Sequence, residues 1–448
     1  MSTIVALSTP RGRGAIGVIR LSGPTALTIT QSLTLDAKQF EPRKATLTHV
    51  RSGPGAEVLD EVIVTFFESP NSLTGEDVVE IACHGSPAVI RQIIDMTLDL
   101  GAQLAGPGEF TLRAVMNGKI DLAEAEAIRD LIDSQTHAAA KQAARQLNGE
   151  LSSTLQPLKD RLLEVIVLME SALEFVEDDL PETSRTLVHD RLQSLARELE
   201  KLVASYSAGH LLHDGVKVAI TGRPNVGKSS LFNRLVARDR AIVTDVPGTT
   251  RDTLTESVDI GGIPMVLTDT AGLRSTVDDV ETLGIARAQQ AMSDADLILL
   301  VLDGSVPIDS EDRDLIARTS GARRLLVVNK CDVVGFSNAD LDGASDGIKI
   351  SAKTGEGIED LRAMMLAEFN APGLESGGLL ITNARHHDLL NRAHQEVLKA
   401  IELSREQRSE EMVLVPLHNS LRYLGEITGE TTTEDILSKI FSTFCIGK

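Results

Sequence analysis

The sequence predicts a multidomain chain: a small N-terminal α/β (α+β) domain, a central all-helical domain, and a second α/β domain inserted into the helical one. Three observations carry this reading. Residues 1 to about 118 alternate short β-branched runs with Gly/Pro turns, as in "GAIGVIRLSG", "EVIVTFF" and "DVVEIACHG". From 119 the texture becomes rich in Ala, Glu and Leu with few breakers, and it returns in the same form after 379. Between the two helical stretches, buried-strand runs alternate with helical ones, the βαβ rhythm of a parallel sheet covered on both faces. The predicted boundaries are 1–118, 119–213 and 373–448 for the two parts of the helical domain, and 214–372 for the insertion.

Each element has its own signal. Asp121 and Glu124 form a D-x-x-E capping box in front of "LAEAEAIRDLID". Helical periodicity continues through "LKDRLLEVIVLMESALEFV" and "VHDRLQSLARELEKLVASY". "VKVAITG", "PMVLTDTAG", "ADLILLVLDGS", "RRLLVVNKCD" and "GIKISAK" read as strands of the inserted domain. "APGLESGG" reads as the linker out of it, and "ARHHDLLNRAHQEVLKAIELS" resumes the helices.

Composition narrows the function classes. With 448 residues, two to four domains of roughly 100–200 residues each are expected. There is no Trp and aromatics are 3%, so the cores are built from Leu, Ile, Val and Ala. Three scattered cysteines, Cys83, Cys331 and Cys445, give neither a disulfide framework nor a CxxC metal site. The N-terminus has no basic-then-apolar leader pattern, and no apolar run reaches membrane-spanning length. These features predict a cytoplasmic chain with no membrane partner. The net charge of −21 argues against non-specific binding of bulk nucleic acid. A local basic patch stays open: the first 51 residues hold seven basic groups against two acidic ones, Asp36 and Glu41. An ordinary solvated face explains the same bias.

"GRPNVGKSS" at 222–230 matches G-x-x-x-x-G-K-[ST]. Gly222 and Gly227 let the loop wrap a phosphate with backbone N–H groups, Lys228 brings charge to the β/γ-phosphates, and Ser229 offers a hydroxyl to Mg²⁺. Asn225, Val226, Gly227, Lys228, Ser229 and Ser230 are the expected nucleotide contacts of this loop. "DTAG" follows an apolar strand, so Asp269 can hold the Mg²⁺ through its water shell and Gly272, after Thr270 and Ala271, can sense the γ-phosphate. In "GTTR", Thr250 can complete the metal site. In "NKCD", Asn329, Lys330 and Asp332 suit a guanine edge, because a carboxylate accepts from both the ring N–H and the exocyclic amine. Ser351, Ala352 and Lys353 back the base. The order predicts a Ras-like P-loop G domain that binds GTP with Mg²⁺.

One position departs from the Ras-like pattern. Leu273 follows "DTAG" where a water-orienting glutamine is expected. Glu281 is a carboxylate in the segment that follows, and Asn225 can offer an oxygen to a monovalent cation. The plainer readings are a solvated surface acid and a turn residue.

With these motifs in place, the chain resembles the MnmE (TrmE) family of tRNA modification GTPases along essentially its whole length. The resemblance rests on "TPRGRGAIGVIRLSG", "NSLTGEDVVEIACHG", "GPGEFTLRAVMNGKIDLAEAEAIRDLID", "GRPNVGKSSLFNRL", "TDVPGTTRD", "DTAGLR" and the closing "FCIGK". It implies a homodimer that works with a flavoprotein of the GidA/MnmG type as a heterotetramer. Together they add an aminomethyl or carboxymethylaminomethyl group to C5 of the wobble uridine of certain tRNAs. The carbon comes from 5-formyltetrahydrofolate or another one-carbon tetrahydrofolate, held by a folate-binding-like N-terminal domain that also dimerises.

By motif position the resemblance implies folate contacts at Arg20, Glu80 and Lys119, with Lys448 approaching from the chain end. It implies K⁺ at Asn225 and in the loop Thr244, Asp245, Val246, Pro247, Gly248 and Thr249, with Thr244, Val246 and Thr249 supplying oxygens. K⁺ there would offset transition-state charge, and Glu281 would orient the attacking water through a bridging one. Arg251 and Arg274 are weaker candidates on the same segments. Rival readings are a ribosome-assembly GTPase switch and a scaffold with vestigial hydrolysis. The first does not need the first 118 residues or the tail, and the intact set Lys228, Ser229, Thr250 and Asp269 counts against the second.

Cys445 has three readings: a lipidation box, a thiol lining a reactive site, or a buried small hydrophobe. Gly447 and Lys448 spoil the prenylation pattern. The resemblance brings the tail beside the one-carbon site, where Cys445 either serves the chemistry or packs.

Overall fold

The computed structural model describes residues 2–34, 40–51, 57–174, 182–239, 255–269, 289–333, 347–369, 378–431 and 434–447. The chain divides into two compact units, 1–129 with 425–448, and 130–424. The last 24 residues thus group with the N-terminal segment, not with the helices that precede them.

The first unit is built on a six-stranded sheet. Its strands are β1 (Ile4–Leu7), β2 (Ile16–Ser22), β3 (Thr46–Arg51), β4 (Val58–Phe67), β5 (Val78–His84) and β6 (Gln103–Leu104), in the order β3-β4-β5-β2-β1-β6. All neighbours are antiparallel except β1 and β6. Period-2 alternation puts Ile19, Leu21, Val62, Val64, Val79, Ile81 and Cys83 into one core. Ile29 and Leu33 of α1 (Ala26–Thr34) and Ile90 and Ile93 of α2 (Pro87–Asp99) complete it. Residues of opposite parity, Arg20 and Glu80 among them, fall on the other face and pair across β2 and β5.

Helix α3 (Glu109–Met116) and α4 (Leu122–Asp133) follow. The capping box is formed: Asp121 Oδ1 accepts from Glu124 N and Glu124 Oε2 from Asp121 N, both at 2.8 Å. The C-terminal tail docks by both surface and backbone. Phe441 and Phe444 pack with Leu122 and Ala125, and Ile446 bridges antiparallel to Pro107. Gly108 (φ +62°) is required at the contact, since a Cβ there would lie 2.8 Å from that of Phe444.

The second unit contains the helices α5 (His137–Leu147), α6 (Glu150–Glu174), α7 (Glu182–Asp214) and the later helix Ala384–Arg405, which packs along α7. Helix α7 leads directly into another six-stranded sheet: β7 (Val216–Thr221), β8 (Thr255–Ile260), β9 (Ile263–Asp269), β10 (Leu297–Asp303), β11 (Arg324–Asn329) and β12 (Ile348–Lys349). The order is β12-β11-β10-β7-β9-β8. Five strands are parallel, as the buried apolar runs predict.

The sixth strand, which the sequence reading did not name, is β8, an antiparallel edge strand joined to β9 by a two-residue turn. Its signal was present in "VDIGGIPM", because Gly261 and Gly262 adopt φ of +62° and +92° as a type I′-like hairpin requires. Ala208, Leu211 and Leu212 of α7 and Leu380 share one hydrophobic cluster with this sheet. Among the described residues, no helix is long and apolar enough to cross a membrane.

Candidate functional site

The loop between β7 and helix α8 (Lys228–Asp239) is shaped by backbone conformations that only certain residues tolerate. Gly222 (φ +147°) lies so close to β10 that a Cβ would sit 2.3 Å from the Val301 carbonyl oxygen. Gly227 (φ +102°) is closer still to its neighbour, a Cβ there falling 2.2 Å from Asn329 Nδ2. Asn225 takes the left-handed region at φ +63° and is exposed at the loop's rim. A loop of this shape opening a helix turns consecutive N–H groups toward one point, the requirement for holding phosphate.

Lys228 is buried in the first turn of α8, and its Nζ donates to the carbonyls of Gly222 and Arg223 at 2.8 and 2.6 Å. The ammonium is thereby held inside the loop it serves. Arg223 is in turn anchored to Asp312 at 2.7 Å and to Asp309. Ser229 Oγ, in the first turn of α8, donates to Asp269 Oδ2 at 2.7 Å. Asp269 is buried at the end of β9. This hydroxyl–carboxylate pair is a hard-oxygen donor set that fits Mg²⁺ beside a phosphate chain.

The "NKCD" turn is tied to the P-loop. Asn329 Nδ2 donates to the Val226 carbonyl at 2.8 Å, and its Oδ1 accepts from Ala352 N at 2.9 Å. Lys330 (φ +70°) pairs through Nζ with Asp303 at 2.5 Å. Asp332 stands exposed on the same turn. Ser351 is fully buried and its Oγ accepts from Thr354 N at 3.0 Å. Lys353 offers its carbonyl to Arg234, whose Nε also donates to the Ala352 carbonyl at 3.1 Å. Asp303 and Arg234 carry no motif, and sequence reasoning missed both. Cys331, inside "NKCD", has its thiol pushed up by burial and by Glu356.

Several expected residues lie outside the described residues: Thr244, Asp245, Val246, Pro247, Gly248, Thr249, Thr250, Thr270, Ala271, Gly272, Glu281 and Lys448, with Arg251, Leu273 and Arg274.

In the first unit, Arg20 and Glu80 come together. Arg20 Nε and Nη2 donate to Glu80 Oε1 at 3.0 and 2.8 Å, and Nη1 lies 3.4 Å from the Gly447 carbonyl. The guanidinium sits 5.8 Å from the Phe110 ring centroid. Lys119 bonds elsewhere, to the Pro70 carbonyl at 2.9 Å. Cys445 is exposed, which removes its reading as a buried hydrophobe within this chain; its carbonyl accepts from Gly108 N at 3.3 Å. Cys83 is the buried thiol, pushed up to about 11 by burial and by Asp60.

The sheet with its glycine-shaped loop, the Lys228 and Ser229–Asp269 groups and the Asn329 bridge define the class of P-loop nucleoside-triphosphate hydrolases. Comparison with known proteins narrows the class. A family model described as "MnmE helical domain" matches residues 122–445, and one described as "GTP-binding protein TrmE N-terminus" matches residues 3–119. The tRNA modification GTPase MnmE of Koribacter versatilis is 45% identical over 452 residues, covering 100% of this chain and 99% of that protein. Its counterpart from Aquifex aeolicus is 41% identical and covers 99% of each chain.

Two solved structures also match in part. Aquifex aeolicus Era bound to GDP·AlF4⁻ is 22% identical over 40% of this chain and 66% of that one, with a TM-score of 0.29. The G domain of the Thermotoga maritima FeoB iron transporter is 29% identical over 34% and 98%, with a TM-score of 0.26. The chain belongs to the MnmE family of tRNA modification GTPases. It is a GTPase acting in tRNA modification.

Proposed function

We propose that the chain acts as a cytoplasmic homodimer with a flavoprotein of the GidA/MnmG type, and that the heterotetramer adds an aminomethyl or carboxymethylaminomethyl group to C5 of a tRNA wobble uridine. The carbon is supplied by 5-formyltetrahydrofolate or a related one-carbon tetrahydrofolate bound in the first unit. The observation that carries the folate part is the Arg20–Glu80 pair with the Gly447 carbonyl beside it, joining the second strand to the end of the chain. A pterin edge presents a ring N–H and an amino group side by side, which a carboxylate accepts together. The guanidinium orients that carboxylate through its two hydrogen bonds. Lys448, next to Gly447 in sequence, would add a cation for the folate's own carboxylates, and Lys119 another.

In the G domain, the P-loop amides and Lys228 would bind and orient the β/γ-phosphates of GTP, and the Ser229 and Asp269 oxygens, with Thr250, would hold Mg²⁺ and its water shell. Mg²⁺ supplies neutralisation of charge on the phosphates. Asn225, at the loop's rim, would give one oxygen to K⁺, with carbonyls of 244–249 giving others. With Leu273 in the glutamine slot, Glu281 is left to orient the attacking water. Pairing of two G domains would close this arrangement.

The test is calorimetry of the full chain with 5-formyltetrahydrofolate. Micromolar binding that Glu80→Gln weakens at least about tenfold, the value of one charge-assisted pair, is expected, with GTP turnover unchanged. Wild-type strength in Glu80→Gln would remove the pair from the folate site.

A further inference from the structure

The hairpin β8–β9 joins, in sequence, the segments 240–254 and 270–288 that carry the nucleotide-sensing motifs. Its two strands pair over their whole length, from Thr255↔Thr268 to Ile260↔Ile263. At roughly 3.3 Å per residue it is a ribbon about 20 Å long. One end carries Asp269, bonded to Ser229 of the P-loop helix.

The other end, the Gly261–Gly262 turn, is fastened to the junction of α4 and α5. Thr136 Oγ1 donates to the Gly262 carbonyl at 2.8 Å. The same oxygen accepts Ala139 N–H at 3.2 Å, so one buried hydroxyl both caps α5 and holds the hairpin. One residue earlier, Gln135 Oε1 accepts from Ser257 Oγ at 2.5 Å. The turn has no slack: a Cβ on Gly262 would lie 2.9 Å from Ala138 Cβ, and one on Gly261 2.5 Å from a Leu366 methyl.

A hydrogen bond is lost once its heavy atoms separate much beyond 3.5 Å. A slide of the ribbon by about 1 Å along its axis would therefore break the Thr136 and Gln135 links or drag the start of α5 with it. We infer that the β8–β9 hairpin is the lever through which the nucleotide bound at the P-loop biases the helical bundle, with Gln135 and Thr136 as the positioning residues that couple the two. The inference goes beyond the folate and flavoprotein reading and rests only on nucleotide binding. Linkage makes it reciprocal: loosening the anchor must change the relative affinity for GTP and GDP.

The experiment uses the full chain with GDP and with a non-hydrolysable GTP analogue. Calorimetry gives the ratio of the two affinities, and hydrogen exchange reads the amides of residues 137–147. In the wild type, exchange at the start of α5 differs between the two nucleotides. Gln135→Ala, which leaves the cap intact, and Thr136→Val each shift the affinity ratio by about fivefold or more, the low end of ordinary coupling. Thr136→Ser, which keeps the hydroxyl, stays within about twofold. Thermal melting of each variant registers loss of fold separately. The inference is overturned if wild-type α5 exchanges identically in both states, or if the ratio in Gln135→Ala stays at the wild-type value. Failure of either nucleotide to bind the wild type would instead overturn the GTPase assignment.

Discussion

Asn329 and Val226 are joined across two loops. The Asn329 amide donates to the Val226 carbonyl at 2.8 Å, while its oxygen holds Ala352 N at 2.9 Å. The "NKCD" turn and the P-loop therefore share one buried side chain, and neither can move without disturbing the other.

Asn329→Ala removes both bonds and leaves a buried carbonyl and a buried N–H unsatisfied, at about 1–3 kcal/mol each. GDP affinity is expected to fall by about tenfold to a hundredfold, with little effect on the melting of the first unit. Calorimetric titration with GDP checks this. Affinity within twofold of wild type would mean that the bridge does not hold the site in its binding shape.

Leu273, standing where a water-orienting glutamine is expected, and Asn225 in the P-loop together predict a cation-activated reaction. GTP turnover is expected to rise strongly in KCl over NaCl at matched ionic strength, and Asn225→Ala is expected to erase that difference. Glu281→Ala is expected to lower turnover by about a hundredfold, as for lost acid–base assistance, with nucleotide affinity near wild type. Equal rates in the two salts would remove the K⁺ site, and unchanged turnover in Glu281→Ala would remove the acid.

Much of this was legible in the sequence because phosphate sites are made of backbone. The glycines at 222 and 227, the lysine at 228 and the Asn-Lys-x-Asp turn are demanded by local geometry, so they leave a fixed pattern. The five parallel strands were legible as apolar runs for the same reason. What was not legible depends on contacts distant in sequence. Arg234 reaches Ala352, Asp303 reaches Lys330, and Thr136 reaches Gly262, with no spacing rule to announce any of them. The β8 strand was missed because its edge position leaves it half polar, although the Gly261–Gly262 turn marked it. The docking of Phe441 and Phe444 on Leu122 and Ala125 joins segments far apart in the sequence, which periodicity cannot report.

Two of the thiols, Cys445 and Cys83, are expected to separate by reactivity. Cys445 is exposed, whereas Cys83 is buried with its thiol pushed up to about 11. Since the thiolate is the reacting species, brief alkylation of the native chain with iodoacetamide near neutral pH should label Cys445 and spare Cys83. Mass spectrometry of the peptides reads the result. Early labelling of Cys83 would show that the first sheet opens more readily than its packing implies.

His213, at the end of the helix that leads into the G domain, is expected to make stability depend on pH. Its Nε2 meets Asp130 at 3.1 Å and its Nδ1 meets Asp214 at 2.7 Å. The hydrogen bond to Asp130 is the main cause of a rise from the ordinary 6.5 to about 9, and Asp214 adds to it. Because the folded value is the higher one, the folded state binds the proton more tightly. The stabilisation is complete below about pH 6.5 and is lost as pH rises through about 9. The side chain is 30% exposed, so solvent screening keeps the effect on the order of 1–2 kcal/mol. Urea unfolding between pH 6 and 9.5 should show stability falling across that window in the wild type and a smaller fall in His213→Gln. The variant removes the titrating group while keeping a donor toward Asp130, so the difference between the two curves isolates the imidazolium. Parallel curves would mean that His213 is neutral in the folded chain, and that the link between Asp130 and the entry to β7 is an uncharged hydrogen bond.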